Sequence, residues 1–229
     1  MEYSDKKKYI SILIIVVLVA ASIAGFYFVR KKLTIERQKI ELFEAVKNSD
    51  LAMTQELIKK GADVNIKDYH NQSILVYSLS PDITKALIDG GADVNANSGG
   101  ITPLIAASLF GRLNIVRELI NNGADIDEKD SDHGQTALIS ASIFGQLDVV
   151  RELIKNGSNL ESMDYSGHTA LMWACEEGNI DVVKALIDGG ADVNTKNDFG
   201  STALNYASGG GDRAGYPEII KFLRDSGAE

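Results

Sequence analysis

Three histidines, one cysteine and a run of carboxylates are the residues of this chain whose types could do chemistry beyond packing. His133 and His168 lie 35 residues apart at expected turn positions, with His70 further upstream. Stacked turns that brought such imidazoles beside carboxylates would offer a zinc site. Asp125, Asp127, Glu128, Asp130 and Asp132 crowd one turn and would attract a cation. Their spacing departs from the D-x-[DN]-x-[DN]-G calcium loop and no bidentate glutamate follows, so solvated carboxylates are expected. The glycine-rich stretch Gly209 to Pro217 lacks G-x-x-x-x-G-K-[ST], which makes it a loop insertion rather than a phosphate cradle. Cys175 falls at an inward small-residue position equivalent to Ser108 and Ser142, the place of a packed side chain and not of a nucleophile. No Ser-His-Asp, Cys-His or paired-carboxylate arrangement emerges. The expectation is a non-enzyme with no catalytic, metal or cofactor-binding residues and no cofactor, an enzyme with an unrecognised site being the less favoured alternative.

Charge narrows the partners. The chain carries a formal charge of −9, but residues 1–32 hold six Lys/Arg against Glu2 and Asp5, so the remainder stands at −13. An acidic body repels phosphate backbones and no basic stripe with interleaved aromatics is present, which argues against a nucleic-acid partner. No small-molecule substrate is evident. A single cysteine excludes an internal disulfide framework.

The elements that position these residues repeat. Glycine-led segments at Gly61-Ala62-Asp63-Val64-Asn65, Gly91 to Asn95, Gly123 to Asp127, Gly157 to Glu161 and Gly190 to Asn194 recur at intervals of 30, 32, 34 and 33 residues. Upstream of four such segments stand Thr102-Pro103-Leu104, Thr136-Ala137-Leu138, Thr169-Ala170-Leu171 and Thr202-Ala203-Leu204. Between the marks run helical stripes such as Ile115-Val116-x-x-Leu119-Ile120 and Val149-Val150-x-x-Leu153-Ile154. Glycine suits the left-handed residue that closes a helix, and the apolar residue between Asp and Asn suits a finger tucked inward. Each unit alone is too small to bury its stripe, so stacking must do it, at roughly 1.5–3 kcal/mol per large aliphatic side chain.

These motifs resemble the ankyrin repeat, G-x-T-P-L-H-x-A-A, a short turn, V-V-x-x-L-L and G-A-D-V-N. The resemblance implies an all-α ankyrin-repeat solenoid of stacked helix-turn-helix units with β-hairpin fingers, and the residues ahead of it are expected to add one transmembrane helix. The expected boundaries are a cap at 36–66, repeats at 67–96, 97–129, 130–162 and 163–195, and a terminal unit at 196–229. The sequence departs from the family in having Ile105, Ile139, Met172 and Asn205 where histidine is usual, which puts that residue's inter-repeat bonding in doubt. The second repeat is three residues short at Leu79-Ser80-Pro81-Asp82 and should be the least regular.

Ahead of the repeats, residues 1–9 form a tail and Ile10 to Val29 run twenty residues without a charge. As a helix that run spans about 30 Å, the thickness of a hydrocarbon core. Lys6 to Lys8 and Arg30 to Lys32 flank it, with Tyr9, Phe26, Tyr27 and Phe28 near the interfaces. A single-pass membrane protein is expected, with a juxtamembrane linker at 30–35 and the repeats outside the cytoplasm. The alternative is a secreted or periplasmic domain after signal cleavage near Ala24.

The ankyrin family contacts partners through finger tips and the inner-helix positions before the inter-helix glycine. By that register Leu109, Phe110, Ile143 and Phe144 are expected to form a continuous apolar patch that anchors a protein partner. Asp132, His133, Tyr165, His168, Glu176 and Glu177 would be its polar rim. A structural spacer or assembly subunit without a client is the alternative reading.

Overall fold

Threonine opens the inner helices and glycine closes the outer ones. In the computed structural model, which describes the backbone of residues 3–97, 100–209 and 215–229 and side chains from residue 25 onward, the chain stacks antiparallel helix pairs. A long helix α1 (Tyr3–Lys47) pairs at its end with α2 (Leu51–Lys59). A 3₁₀ turn (Ile74–Tyr77) precedes α3 (Pro81–Asp89). Then come α4 (Pro103–Leu109) with α5 (Leu113–Asn121), α6 (Ala137–Ile143) with α7 (Leu147–Lys155), α8 (Ala170–Glu176) with α9 (Ile180–Asp188), and α10 (Ala203–Ala207) with α11 (Pro217–Asp225). The loop insertion read near Gly209 falls, over residues 210–214, outside the described residues.

Thr102, Thr136 and Thr169 each accept a hydrogen bond from the backbone N–H three residues on, at 3.2, 3.3 and 3.3 Å, which supplies one of the helix-start donors with a partner. Beyond α5, Gly123 takes φ +86°, a conformation that costs a side-chain-bearing residue dearly. The apolar stripes meet between pairs: Leu104, Leu138 and Leu171 from inner helices and Leu119, Leu153 and Leu186 from outer ones are buried in one core.

The fingers correct the expectation of β-hairpins. Among the described residues there is no strand, and Lys67 and Ser73 form an isolated bridge. The reason lies in a buried tip residue. Each finger closes with a backbone bond, Asp130 N–H to Gln135 O at 2.9 Å and Asp164 N–H to His168 O at 3.0 Å. The next N–H groups then go to the side chain at the tip, from His133 and Gly134 to Asp130 Oδ1 and from Ser166 and His168 to Asp164 Oδ1. A carboxylate therefore takes the bonds a facing strand would supply. Asp130, expected to be solvated, is only 8% exposed for this reason.

Polar bonding between units runs along the finger bases. Asn65 donates through Nδ2 to Gly91 O (2.9 Å) and accepts through Oδ1 from Asp93 N–H (2.8 Å). Asn95 does the same to Gly123 O (3.1 Å) and Asp125 N–H (2.8 Å), and Asn194 to Gly227 O and Glu229 N–H, both at 3.0 Å. Asp127 and Glu161 occupy the same column and can only accept, from Asn159 N–H and Asp192 N–H. This side-chain ladder joins the units where the family's histidine is missing, while Ile105, Ile139 and Met172 are buried in the core.

Helix α1 runs without a break through residues 30–35, which were expected as a linker, into the stack, where Leu42, Phe43, Ala45 and Val46 are buried. Among the described residues no helix is long and apolar enough to cross a membrane. Most of the apolar run Ile10 to Val29 lies outside them, since side chains are described only from residue 25.

Candidate functional site

The inner helices and fingers enclose an open groove of about 670 Å³. Helix α4 contributes Ile105 and Leu109, α6 and the turn after it contribute Ser140, Ile143 and Phe144, and α8 contributes Trp173. The fingers supply Asp132, His133 and Tyr165. Six of the ten residues expected to meet a partner are thus brought together: Leu109, Ile143, Phe144, Asp132, His133 and Tyr165. Phe144 is 54% exposed, although a phenylalanine gains most by leaving water. Tyr165 is held by backbone as well as by its ring. Its N–H donates to His133 O at 2.8 Å, linking two finger tips, and a Cβ at Gly134 would stand 2.5 Å from its ring.

The other four do not line the groove. Phe110, 60% exposed, turns into a neighbouring notch with the Arg112 guanidinium 4.7 Å from its ring centre. Glu176 and Glu177 end α8 outside it. His168 is a half-buried positioning residue. Its Nε2 lies 2.6 Å from Tyr206 Oη, and its ring sits 4.9 Å from both Trp173 and Tyr206. Asn197 Nδ2 donates to the same phenol oxygen at 2.8 Å, and Trp173 Nε1 donates to Asp164 Oδ2 at 2.8 Å. The buried Asp164 thereby fixes both the finger and the indole at the groove's end. Among the described residues no group of three or more His, Cys, Asp or Glu side chains is arranged to hold a metal ion.

Trp173 is the residue that reasoning from sequence passed over. It belongs to the column Ala106, Ser140, Trp173 and Tyr206, one place after Ile105, Ile139, Met172 and Asn205. Side chains in this column grow from small to aromatic along the stack, a signal visible once the register is written out. Burial pushes the Cys175 thiol up to about 12, and that side chain packs as a small apolar group.

Comparison with known proteins agrees with this architecture. The profile described as ankyrin repeats (3 copies) matches residues 42–130, 79–164, 127–197 and 162–229. The chain belongs to the ankyrin-repeat family. A stretch of 101 residues is 33% identical to the E3 ubiquitin-protein ligase hecd-1 of Caenorhabditis elegans, covering 42% of this chain and 4% of that protein. So small a share of the relative is a likeness of repeat to repeat. Ankyrin repeats are typically non-enzymatic modules for protein–protein interaction, and the groove is where this ankyrin stack presents aromatic and charged side chains together.

Proposed function

We propose that this chain is a membrane-anchored ankyrin-repeat module that binds a protein partner in its groove. The observation that carries the reading is the exposed Phe144 beside Leu109, Ile143 and Trp173, an apolar wall open to solvent on an otherwise acidic body. Asp132, His133 and Tyr165 on the finger side supply polar contacts around it. The partner best suited is an extended segment that inserts one or two bulky apolar side chains between finger and inner helix. Capture of partner by the tagged full-length chain is expected to be lost in Phe144→Ser with helicity unchanged. Undiminished capture would remove the groove from the function.

The anchor rests on the charge-free run Ile10 to Val29 and its flanking lysines and arginines, continued by a helix that enters the stack directly. The repeats then stand close to the bilayer, and we place them outside the cytoplasm because a long domain crosses largely regardless of charge. Protease treatment of sealed cells carrying a carboxyl-terminal tag tests this. Cleavage without lysis supports the orientation, and protection until lysis reverses it.

A further inference from the structure

The second repeat lacks three residues and, with them, its inner α-helix. The 3₁₀ turn Ile74–Tyr77 stands in that place against α4, and an opening remains beside Leu109 and Phe110 at the end of that helix. What remains is a notch of about 440 Å³ walled by Val76, Leu79, Leu109 and Phe110, with Lys47 and Arg112 at its edges. Leu79 and Phe110 are 52% and 60% exposed, large apolar side chains, and the Arg112 guanidinium lies against the Phe110 ring.

The two cations lie against aromatic rings. Elsewhere in the stack Arg117 pairs with Glu152 and Lys184 with Glu218, whereas Lys47 and Arg112 meet no carboxylate among the described residues. Lys47 lies 4.7 Å from the Tyr77 ring centre, and Arg112 spends one N–H on Ser78 O at 3.1 Å. That single bond does not require a charge. In the two following units the same column is Gln146, which donates to Leu109 O, and Asn179, which donates to Ser142 O and Ile143 O. Arginine thus performs the capping role that a neutral amide fills in its neighbours, and its remaining donors and its charge are left over. Burial already lowers its pKa, a sign that the guanidinium is partly withdrawn from water without a counter-ion.

We propose that this notch binds an acidic peptide segment of a partner protein, a bulky apolar side chain filling the gap left by the missing helix and carboxylates meeting Lys47 and Arg112. Arginine's fork accepts a carboxylate through two parallel bonds, and Lys47 adds a point charge at the other edge. The notch shares Leu109 with the groove as a common wall, yet the inference goes beyond the groove reading and stands without it.

The test is fluorescence anisotropy of a labelled peptide, a Leu-Phe pair flanked by two Glu on each side in a Gly-Ser background, titrated with the full-length chain in detergent micelles and with empty micelles as blank. Two control peptides replace the Glu by Lys or the Leu-Phe pair by Ser. The acidic apolar peptide is expected to bind in a salt-sensitive way and both controls to fail. Arg112→Gln, which restores the side chain of the next unit's column and should keep the fold, is expected to weaken binding about ten-fold or more. Lys47→Gln should weaken it less, and Phe144→Ser should leave it unchanged. Equal affinity for the wild type and Arg112→Gln, or preference for the Lys peptide, overturns the proposal. Loss in Phe144→Ser with none in Arg112→Gln moves the peptide into the groove and overturns the notch while keeping the groove. Self-association of the chain that Arg112→Gln abolishes puts a second copy in the notch and likewise overturns it.

Discussion

From Thr102 to Val193 each unit repeats the same threonine cap and helix pair, while from Leu42 to Ala92 the chain builds a comparable unit from different materials. In the first region, inner helices of seven residues stack face to face, and Leu, Ile and Ala side chains of successive units form one continuous core. In the second, the end of α1, α2, the 3₁₀ turn and α3 enclose a separate core, with Ile88 touching both. Where three residues are missing, hydroxyls replace methyl groups. Ser78 Oγ lies 2.8 Å from Thr84 Oγ1, and each of the two also bonds to Ser80 O. Tyr77, beside them, shares its hydroxyl with Asp68 and Gln72, and burial together with the Asp68 bond pushes the phenol up to about 12. The difference teaches that a stack tolerates losing an inner helix provided every backbone and hydroxyl group finds another partner. It also shows that the lost helix leaves a binding-sized opening rather than a collapse.

The largest effect should come from cutting the regular core. Leu153 is fully buried there, and Leu153→Ala is expected to cost about 2–5 kcal/mol in urea unfolding. Cys175, fully buried in the same core and held as a thiol, is a built-in reporter of opening. Leu153→Ala should therefore speed its reaction with a disulfide reagent steeply, and Leu87→Ala, in the separate core, much less. Equal acceleration by the two variants would mean that both cores open as one unit, which breaks the comparison.

Smaller changes sharpen it. Asn95→Asp removes the donor to Gly123 O but keeps an acceptor for Asp125 N–H, and should cost about 1 kcal/mol. Asp127→Asn runs the other way. It supplies the donor that Asn65 and Asn95 use and that this unit lacks, and a gain of about 1 kcal/mol is expected. Thermal midpoints of the two variants, measured side by side, should move in opposite directions. A shift of the same sign in both would show that charge on the acidic fingers, not the bond to the next unit's backbone, controls these sites.

How much of this was legible follows from which neighbours a residue depends on. The threonine caps, the closing glycines and the apolar stripes act within one unit, so their spacing alone located helices α4 to α9. The column that runs through Trp173 to Tyr206 and the notch beside Phe110 depend on the adjacent unit, and single-unit patterns do not carry that information. His168 illustrates the limit. Its position at a finger suggested a surface contact, but the Tyr206 hydroxyl of the following unit holds it half-buried. The finger register was readable, whereas the absence of strands was not, because Asp at the tip satisfies donors in a way that alternation of apolar and polar residues does not reveal.

The smallest effect compares two bridges on the outer helices. Arg117 on α5 reaches Glu152 on α7 at 2.7 Å within the regular region, while Lys85 on α3 reaches Glu118 on α5 at 3.9 Å across the junction. The hydrogen bond from Arg117 holds the Glu152 carboxyl below its usual range, outweighing the opposing effect of burial, and Asn156 assists. A carboxylate whose folded pKa is depressed contributes stability fully above its unfolded value, about 4.3, and loses it as pH falls through the folded value. Wild type should therefore exceed Glu152→Gln at pH 7 by no more than about 1 kcal/mol, Arg117 being half exposed. The gap should close as urea midpoints are followed from pH 5 downwards. Glu118→Gln, whose lysine partner is exposed and distant, should show a smaller gap at every pH. A gap for Glu152→Gln that does not change with pH would assign the contact to packing of the arginine stem, and would leave hydrogen bonds and apolar burial as the terms that separate the two regions.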